Sequence, residues 1–327
     1  MKVLTINTYG GSLLLASRMA GCEIVGSCET DGYGVAVQRD NFPDVPIYPT
    51  TGTWPQVDLQ QVAVIGHPPC ACFSVQNNKR RTDPLLDPKF QATRDLLDYA
   101  LSRKARAVMI ESIAQSVPHT EAFFNNLARK YGYLFNRIEM NYSLWVPQNR
   151  KRVWSIWSRR TVDLSSLYYL TRSPRLSSVV KQDTVNYVSI IRNRVTAVAQ
   201  KASLIGLDLS AYWNGKHGYG NLARLLTREK RFENLTSLEI ARQLGVSQIS
   251  RMPIVLEPNG VAPTLMYDSC WVYNGGLLCQ EDYAAIMGFP REYKLRSGPS
   301  GGCLEYVSRG VVPAAAAWLL DRIQRSE

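Results

Sequence analysis

Six short apolar runs in the first 160 residues, separated by stretches with helical spacing, constrain this chain more than any other feature. KVLTIN, EIVGSC, VAVIG, AVMIES, YLFNRIEM and RVWSIWS are too short for buried helices and read as strands. SLLLASRMAG, DGYGVAVQRDNF, PKFQATRDLLDYALSRK and TEAFFNNLARKYG read as the helices between them. Strands that alternate with helices predict an α/β fold built on a doubly wound, mostly parallel sheet. With 327 residues, 45% of them hydrophobic, the chain is long enough for that sheet and a second, smaller domain.

Beyond residue 160 the strand pattern blurs and charge rises. Between residues 191 and 251 there are ten Lys or Arg against four Asp or Glu. From about residue 270 helical signals return in LLCQEDYAAIMGFP and PAAAAWLLDRIQR. The expected division is one domain from residues 1–160 plus about 270–327, and a smaller basic one over about 161–269. A formal net charge of +11 calls for an anionic partner, nucleic acid first. No run reaches 18 apolar residues, so a cytoplasmic chain without a membrane span is expected. The seven cysteines are scattered; Cys70 and Cys72 are the only close pair, and the histidines have no metal-ligand spacing. Reduced thiols and no metal are expected.

In an open α/β sheet, ligands sit outside the carboxyl ends of the strands. After the first strand comes NTYGGS, where two glycines before a helix suit close backbone approach to a cofactor or make a plain tight turn. Glu29 ends the second strand, where an acid can hold ribose hydroxyls or stand simply as a solvated surface acid. GHPPCACFS follows VAVIG, and AVMIES ends in Glu111 and Ser112, so Cys70 and Glu111 should emerge at one edge. A metal site, a disulfide or two core thiols could account for the cysteines. A thiolate beside an acid would instead form a nucleophile and proton-donor pair, on a loop stiffened by Pro68 and Pro69. Such a thiol needs a positive neighbour, which VPQNRKRVW can supply. Read as the start of a strand, it turns Gln148, Arg150 and Arg152 to one face, Asn149 and Lys151 to the other.

These motifs, in this order, resemble the DNA (cytosine-5) methyltransferases, in the compact form that phages and bacteria carry. PPCACFS resembles the Pro-Cys nucleophile loop, IES the Glu-Asn-Val segment, and QNRKR the Gln-x-Arg-x-Arg strand. APTL (262–265), EDYAAIMGFP (281–290) and GVVP (310–313) resemble the motifs after the family's target recognition domain. The resemblance implies a Rossmann-like methyltransferase fold, S-adenosylmethionine as donor and double-stranded DNA as partner, with the chain acting as a monomer. It implies that Cys70 attacks C6 of a flipped cytosine, Glu111 holds and protonates the ring at N3, and Arg150 and Arg152 orient the base and stabilise charge. Asn7, Thr8, Tyr9, Gly10, Gly11, Ser12, Glu29, Pro69, Ser112, Gly310 and Val311 would line the donor site. DNA contacts are expected from Gln148, Arg228, Lys230, Arg231, Arg242, Gln248 and Arg251. SLEIARQLGVSQISR (237–251) has the pattern of a helix-turn-helix or of an ordinary helical hairpin.

The donor-side motifs depart from the family. Asn7 stands where an aromatic usually stacks on adenine, a role that Tyr9 takes over if the change is drift. Ser112 replaces the Asn of Glu-Asn-Val, Arg309-Gly310 replaces Gly-Asn, and no aspartate appears near PTTGTW. Such one-sided change fits drift, or a carboxylated S-adenosylmethionine whose extra charge meets Arg309. An RNA cytosine-5 enzyme and a non-catalytic DNA-binding protein are the remaining readings.

Overall fold

A computed structural model of the chain describes residues 1–49, 54–74, 81–169, 174–181, 254–265, 271–274, 276–296 and 304–326, with residues 203, 206, 239, 242 and 243. Seven strands form the main sheet: β1 (Lys2–Ile6), β2 (Glu23–Glu29), β3 (Ile47–Pro49), β4 (Val62–Gly66), β5 (Ala107–Ser112), β6 (Leu134–Asn141) and β7 (Lys151–Ser158). Their order is β3-β2-β1-β4-β5-β7-β6, parallel throughout except β7, which runs antiparallel to both neighbours.

The strand pattern explains why both faces are covered. Along β5, Ala107 and Met109 enter one apolar cluster, Val108 and Ile110 the other. The period of two thus feeds two cores, and each fully buried aliphatic side chain contributes roughly 1.5–3 kcal/mol. One core packs α1 (Ser12–Met19) and the C-terminal helix, Pro313–Arg325, against the sheet; the other takes α3 (Gln91–Ser102) and α4 (Val117–Tyr131). Helix α2 (Gly32–Asn41) is capped by Asp31, whose side chain accepts from Gly34 N. After it in sequence come α5 (Gln280–Ile286), α6 (Leu304–Arg309) and the C-terminal helix, α7. Among the described residues no helix is long and apolar enough to cross a membrane.

The predicted strands and helices of the first 160 residues are all present within a few residues. Three features were not anticipated: the short β3, helix α6, and a small sheet of β8 (Ile254–Leu256), β9 (Trp271–Tyr273) and β10 (Gly276–Leu277). The boundary of the basic domain also needs correction. Val162, Leu167, Leu176, Val180, Leu256, Ala262 and Leu265 all belong to the same core cluster as Trp154 and Leu319. Ala262 exchanges backbone hydrogen bonds with Pro147 and Asn149, both 2.7 Å. Both ends of the 161–269 stretch are therefore built into the main body, because their apolar residues complete its core. Any separate module is narrowed to about residues 182–253, which lie outside the described residues apart from isolated positions.

Candidate active site

The carboxyl edge of the parallel strands gathers the reactive groups. Because β7 runs the other way, its first residues reach this same edge, with Val153 opposite Ser112 and Trp154 opposite Glu111. Glu111 is fully buried. Its Oε1 accepts from Tyr142 Oη at 3.1 Å and lies 3.3 Å from Arg152 Nε, and its Oε2 lies 3.0 Å from His67 Nε2. The last contact is off the line of a good hydrogen bond, so it acts mainly through charge. Burial alone would raise the Glu111 pKa, but His67, Arg152 and Arg150 outweigh it and hold the carboxyl below its ordinary range.

Cys70 lies in the turn after β4, where Phe73 N–H donates to its carbonyl. Burial works to raise its thiol pKa; hydrogen bonding with His67, then the charges of His67 and Arg152, reverse this and lower it. Cys72, two residues on, is fully buried, and burial and Asp87 push it up to about 11. The two thiols of the motif are thus chemically distinct, and no described cysteine is in a disulfide.

His67 is the residue that sequence reasoning passes over. The sequence weighs it as a metal ligand only, yet it contacts both Glu111 and Cys70. Its place three residues before the cysteine in one short loop is the available signal. Tyr142 is also missed: its hydroxyl donates to Glu111 and accepts from Trp154 Nε1 at 3.1 Å.

The Gln148, Arg150, Arg152 alternation survives in exposure, with Asn149 and Lys151 outward, although the regular strand begins only at Lys151. Its consequences differ from those expected. Gln148 is fully buried, with Nε2 3.3 Å from Met287 Sδ, so it offers no side chain to DNA. Arg150 is 2% exposed and spends its guanidinium on the carbonyls of Leu265 and Gly310, at 3.4 and 3.1 Å. It braces the site from behind and makes no polar contact with Glu111. Only Arg152 reaches the carboxylate directly.

The donor-side residues surround the loop after β1, which needs positive φ at Asn7 (52°), Tyr9 (53°) and Gly11 (80°). At Gly11 a Cβ would lie 2.5 Å from Tyr293 Oη, so glycine is required there. Thr8 Oγ1 is buried without a partner among the described residues, and a Cβ at Gly10 would meet nothing closer than 3.9 Å. The loop thus keeps an unspent polar group and room for main-chain approach, which fits a nucleoside donor. Ser12 and Val311 are buried behind it, Val311 N–H donating to Ser12 Oγ at 3.2 Å. Pro69 and Ser112 meet at a small cavity of about 10 Å³ beneath the cysteine loop.

Two donor-side expectations are corrected. Glu29 is 1% exposed, and its oxygens accept from Tyr9 N, Thr30 N, Asp31 N and Gln38 Nε2. It anchors its own loop and presents no free oxygen to a ribose. Tyr9 packs edge-on against His67, ring centroids 5.4 Å apart, and is not placed as a stacking platform in place of the missing aromatic. Stacked rings do occur nearby: Tyr33 and Tyr306 lie 3.6 Å apart, the latter beside Gly10.

Arg242 is helical and exposed. Arg228, Lys230, Arg231, Gln248 and Arg251 lie outside the described residues, as does the expected helix-turn-helix except for Glu239, Arg242 and Gln243.

No protein-family model and no curated protein sequence matches the chain. Solved structures do. One is an E. coli prophage chain assigned as a DNA modification methyltransferase, with TM-score 0.64, 15% identity and 99% of each chain covered. Another is the Entamoeba histolytica methyltransferase EhMeth, at 0.65 and 10%, over 99% of this chain and 98% of that one. The S. pombe Dnmt2 methyltransferase matches at 0.65 and 11%, with the same coverage. The chain has a methyltransferase fold. At these identities that likeness extends to the architecture, and the chemistry has to be argued from the residues themselves.

Proposed function

We propose that the protein is a DNA cytosine-C5 methyltransferase, which adds Cys70 Sγ to C6 of a flipped cytosine and places a methyl group from S-adenosylmethionine on C5. The observation that carries this reading is the fully buried Glu111 held by His67 and Arg152, with Cys70 three residues beyond that histidine in the loop after β4, at the ligand edge of a methyltransferase fold. Cytosine C5 is a poor nucleophile. Addition of the thiolate at C6 turns C5 into an enamine carbon able to attack. When bound, the donor supplies an activated methyl on a sulfonium; Thr8, Gly10 and Gly11 would hold it.

Glu111 would meet the ring at N3 and pass it the proton that the Cys70 thiol gives up, neutralising the negative charge that collects there once sulfur has added. Arg152, on the same face as Glu111, would stabilise that charge, while Arg150 keeps the strand end fixed through Leu265 and Gly310. Loss of the C5 proton and departure of Cys70 then restore the aromatic ring. A stacked base cannot reach a buried carboxylate, so it must be flipped, at about a few kcal/mol. The ten Lys or Arg against four Asp or Glu between residues 191 and 251 support double-stranded DNA as partner, with about residues 182–253 as the recognition module.

A carboxylated donor is the second reading. The charge of Arg309 reaches the Tyr9 phenol, and so stands near the same loop.

Nucleoside mass spectrometry on DNA and RNA from cells expressing the protein, with Cys70→Ser as control, tests both. The expected result is 5-methylcytosine in DNA that disappears in the variant. A heavier cytosine adduct would select the carboxylated donor, and product in RNA alone would move the substrate. An unchanged product level in Cys70→Ser, or no modified cytosine in either nucleic acid, would reject the proposal.

A further inference from the structure

The reaction as proposed assigns nothing to His67, although no residue is tied more closely to both of its main groups. His67 follows β4 directly, its backbone N–H donating to Ile6 O at 3.0 Å, and its side chain is 6% exposed. Nε2 faces Glu111 Oε2 at 3.0 Å. On the other side the Cys70 thiol lies close enough to act on the imidazole, and Nδ1 has no aligned hydrogen-bond partner among the described residues, sulfur included, which leaves it as the ring nitrogen open to take a proton. Thiol, imidazole and carboxylate therefore stand in sequence, the arrangement in which a base takes a proton from a nucleophile while a third group steadies the base.

We infer that His67 accepts the thiol proton of Cys70 at Nδ1 and is held by Glu111 through Nε2, so that Cys70 enters the reaction as a thiolate. The inference rests on Cys70 being the nucleophile of the proposed reaction. The S–H bond breaks, its electron pair stays on sulfur, and an N–H bond forms on the imidazole, which becomes an imidazolium beside the Glu111 carboxylate. Sulfur then adds to C6, and no further reactant is consumed. The proton is left one contact from Glu111, the group that faces N3 in the proposed reaction.

The surroundings agree with this assignment. The charged and titratable groups around His67 are Glu111 on β5, Arg150 and Arg152 at the start of β7, Tyr142 after β6, Tyr9 after β1 with Glu29 behind it, and Cys70 itself. Burial disfavours an imidazolium, but the Glu111 carboxylate and the Cys70 contact outweigh it and push the His67 pKa up to about 9. The Cys70 thiol moves the opposite way. Those are the two movements that a thiolate–imidazolium pair requires.

The test is the rate of Cys70 alkylation by iodoacetamide against pH in the full-length protein, read by mass spectrometry with fragments that separate Cys70 from Cys72. In the unsubstituted protein the rate should inflect below the value of about 8.5 for a free thiol. His67→Gln, which keeps a polar side chain but cannot take the proton, should move the inflection up by at least about one pH unit and slow alkylation at pH 7 about tenfold. An inflection at or above the free-thiol value, or one unmoved by His67→Gln, overturns the inference.

A second measurement uses the native residue. With only three histidines in the chain, the His67 imidazole can be followed by NMR, and capping Cys70 with methyl methanethiosulfonate should lower its titration. No change would overturn the inference even if the Gln variant failed to fold. Neither measurement depends on turnover. A low, His67-dependent inflection in a protein that makes no modified cytosine would remove the proposed function alone, and modified cytosine with a His67-independent thiol would remove this inference alone.

Discussion

Cys28, on β2, and Cys70, in the turn after β4, lie near the same edge of one sheet, where only β1 separates the two strands, yet their thiols are displaced in opposite directions. Burial, then the neighbouring Glu29, pushes Cys28 up to about 12, whereas Cys70 is lowered by His67 and Arg152 against the pull of burial. The difference marks two halves of the site. On the base side, the ends of β4, β5 and β7 bring His67 and Arg152 each into contact with Glu111, so fixed charges of both signs are present before any ligand arrives. On the donor side, the ends of β1 and β2 spend their acid on their own backbone, leaving the orphaned Thr8 hydroxyl and a glycine-rich loop. The base side is organised by side-chain charge and the donor side by main-chain shape.

The sharpest way to break that comparison is to remove the charge at the centre of the base side. Glu111→Gln is expected to lower the single-turnover transfer rate by about 10²–10⁴-fold, the usual worth of a positioned acid or base, while DNA affinity changes only a few-fold. Rapid-quench kinetics with fluorescence anisotropy on the same preparation separates the two. A rate within tenfold of the native enzyme would mean that the charged cluster is structural and that the chemistry lies elsewhere.

The two arginines at the start of β7 should then divide by kind of loss. Arg150→Met removes the bonds to the Leu265 and Gly310 carbonyls and is expected to cost about 2–4 kcal/mol of stability, the 3.1 Å bond to Gly310 counting at roughly 1.5–3 kcal/mol as a bond to a charged group and the longer 3.4 Å bond at less. Arg152→Met takes one of several partners from the buried Glu111 carboxylate, which keeps His67 and Tyr142, and should cost less stability than Arg150→Met while losing turnover. Urea denaturation of both variants decides the matter. If Arg150→Met keeps full stability but loses turnover, its place is at the base and the bracing role assigned to it is wrong.

Much of the architecture is legible because periodicity is a local signal. The short unbroken apolar run of AVMIES carries both its strand character and its burial on two faces, and PKFQATRDLLDYALSRK announces its helix by apolar residues at helical spacing. What periodicity cannot convey is direction or depth. Nothing in RVWSIWS says that β7 runs antiparallel, which is what carries Arg152 to the end of β5. The phase of Gln148 is right and its depth wrong, since alternation says which residues share a face but not that the face meets Met287. Glu29 is placed correctly at a strand end, yet its rotamer answers to N–H groups in two loops. His67 is visible in its loop, but its meaning comes from Glu111, far along the chain.

The smallest expected effect tests the donor side's lack of a standing charge. Burial raises the Glu29 carboxyl to about 7, against the N–H groups of Asp31, Thr30 and Tyr9, which favour the ionised form. An unfolded glutamate titrates near about pH 4.3, so the folded chain binds this proton more tightly. The resulting stability is complete below about pH 4.3 and is lost as pH rises through about 7. Glu29→Gln removes the titration, and whatever it costs through lost acceptors does not vary with pH. The stability difference between native protein and variant should therefore fall by about 1–2 kcal/mol between about pH 4.5 and 7.5, discounted from the full linkage between a folded and an unfolded carboxyl that titrate at different pH. Denaturation at a series of pH values reads it directly. A difference that rises with pH would mean that the N–H groups win and Glu29 is ionised when folded; the donor side would then carry a built-in charge as the base side does, and the contrast between them would rest on Cys70 and His67 alone.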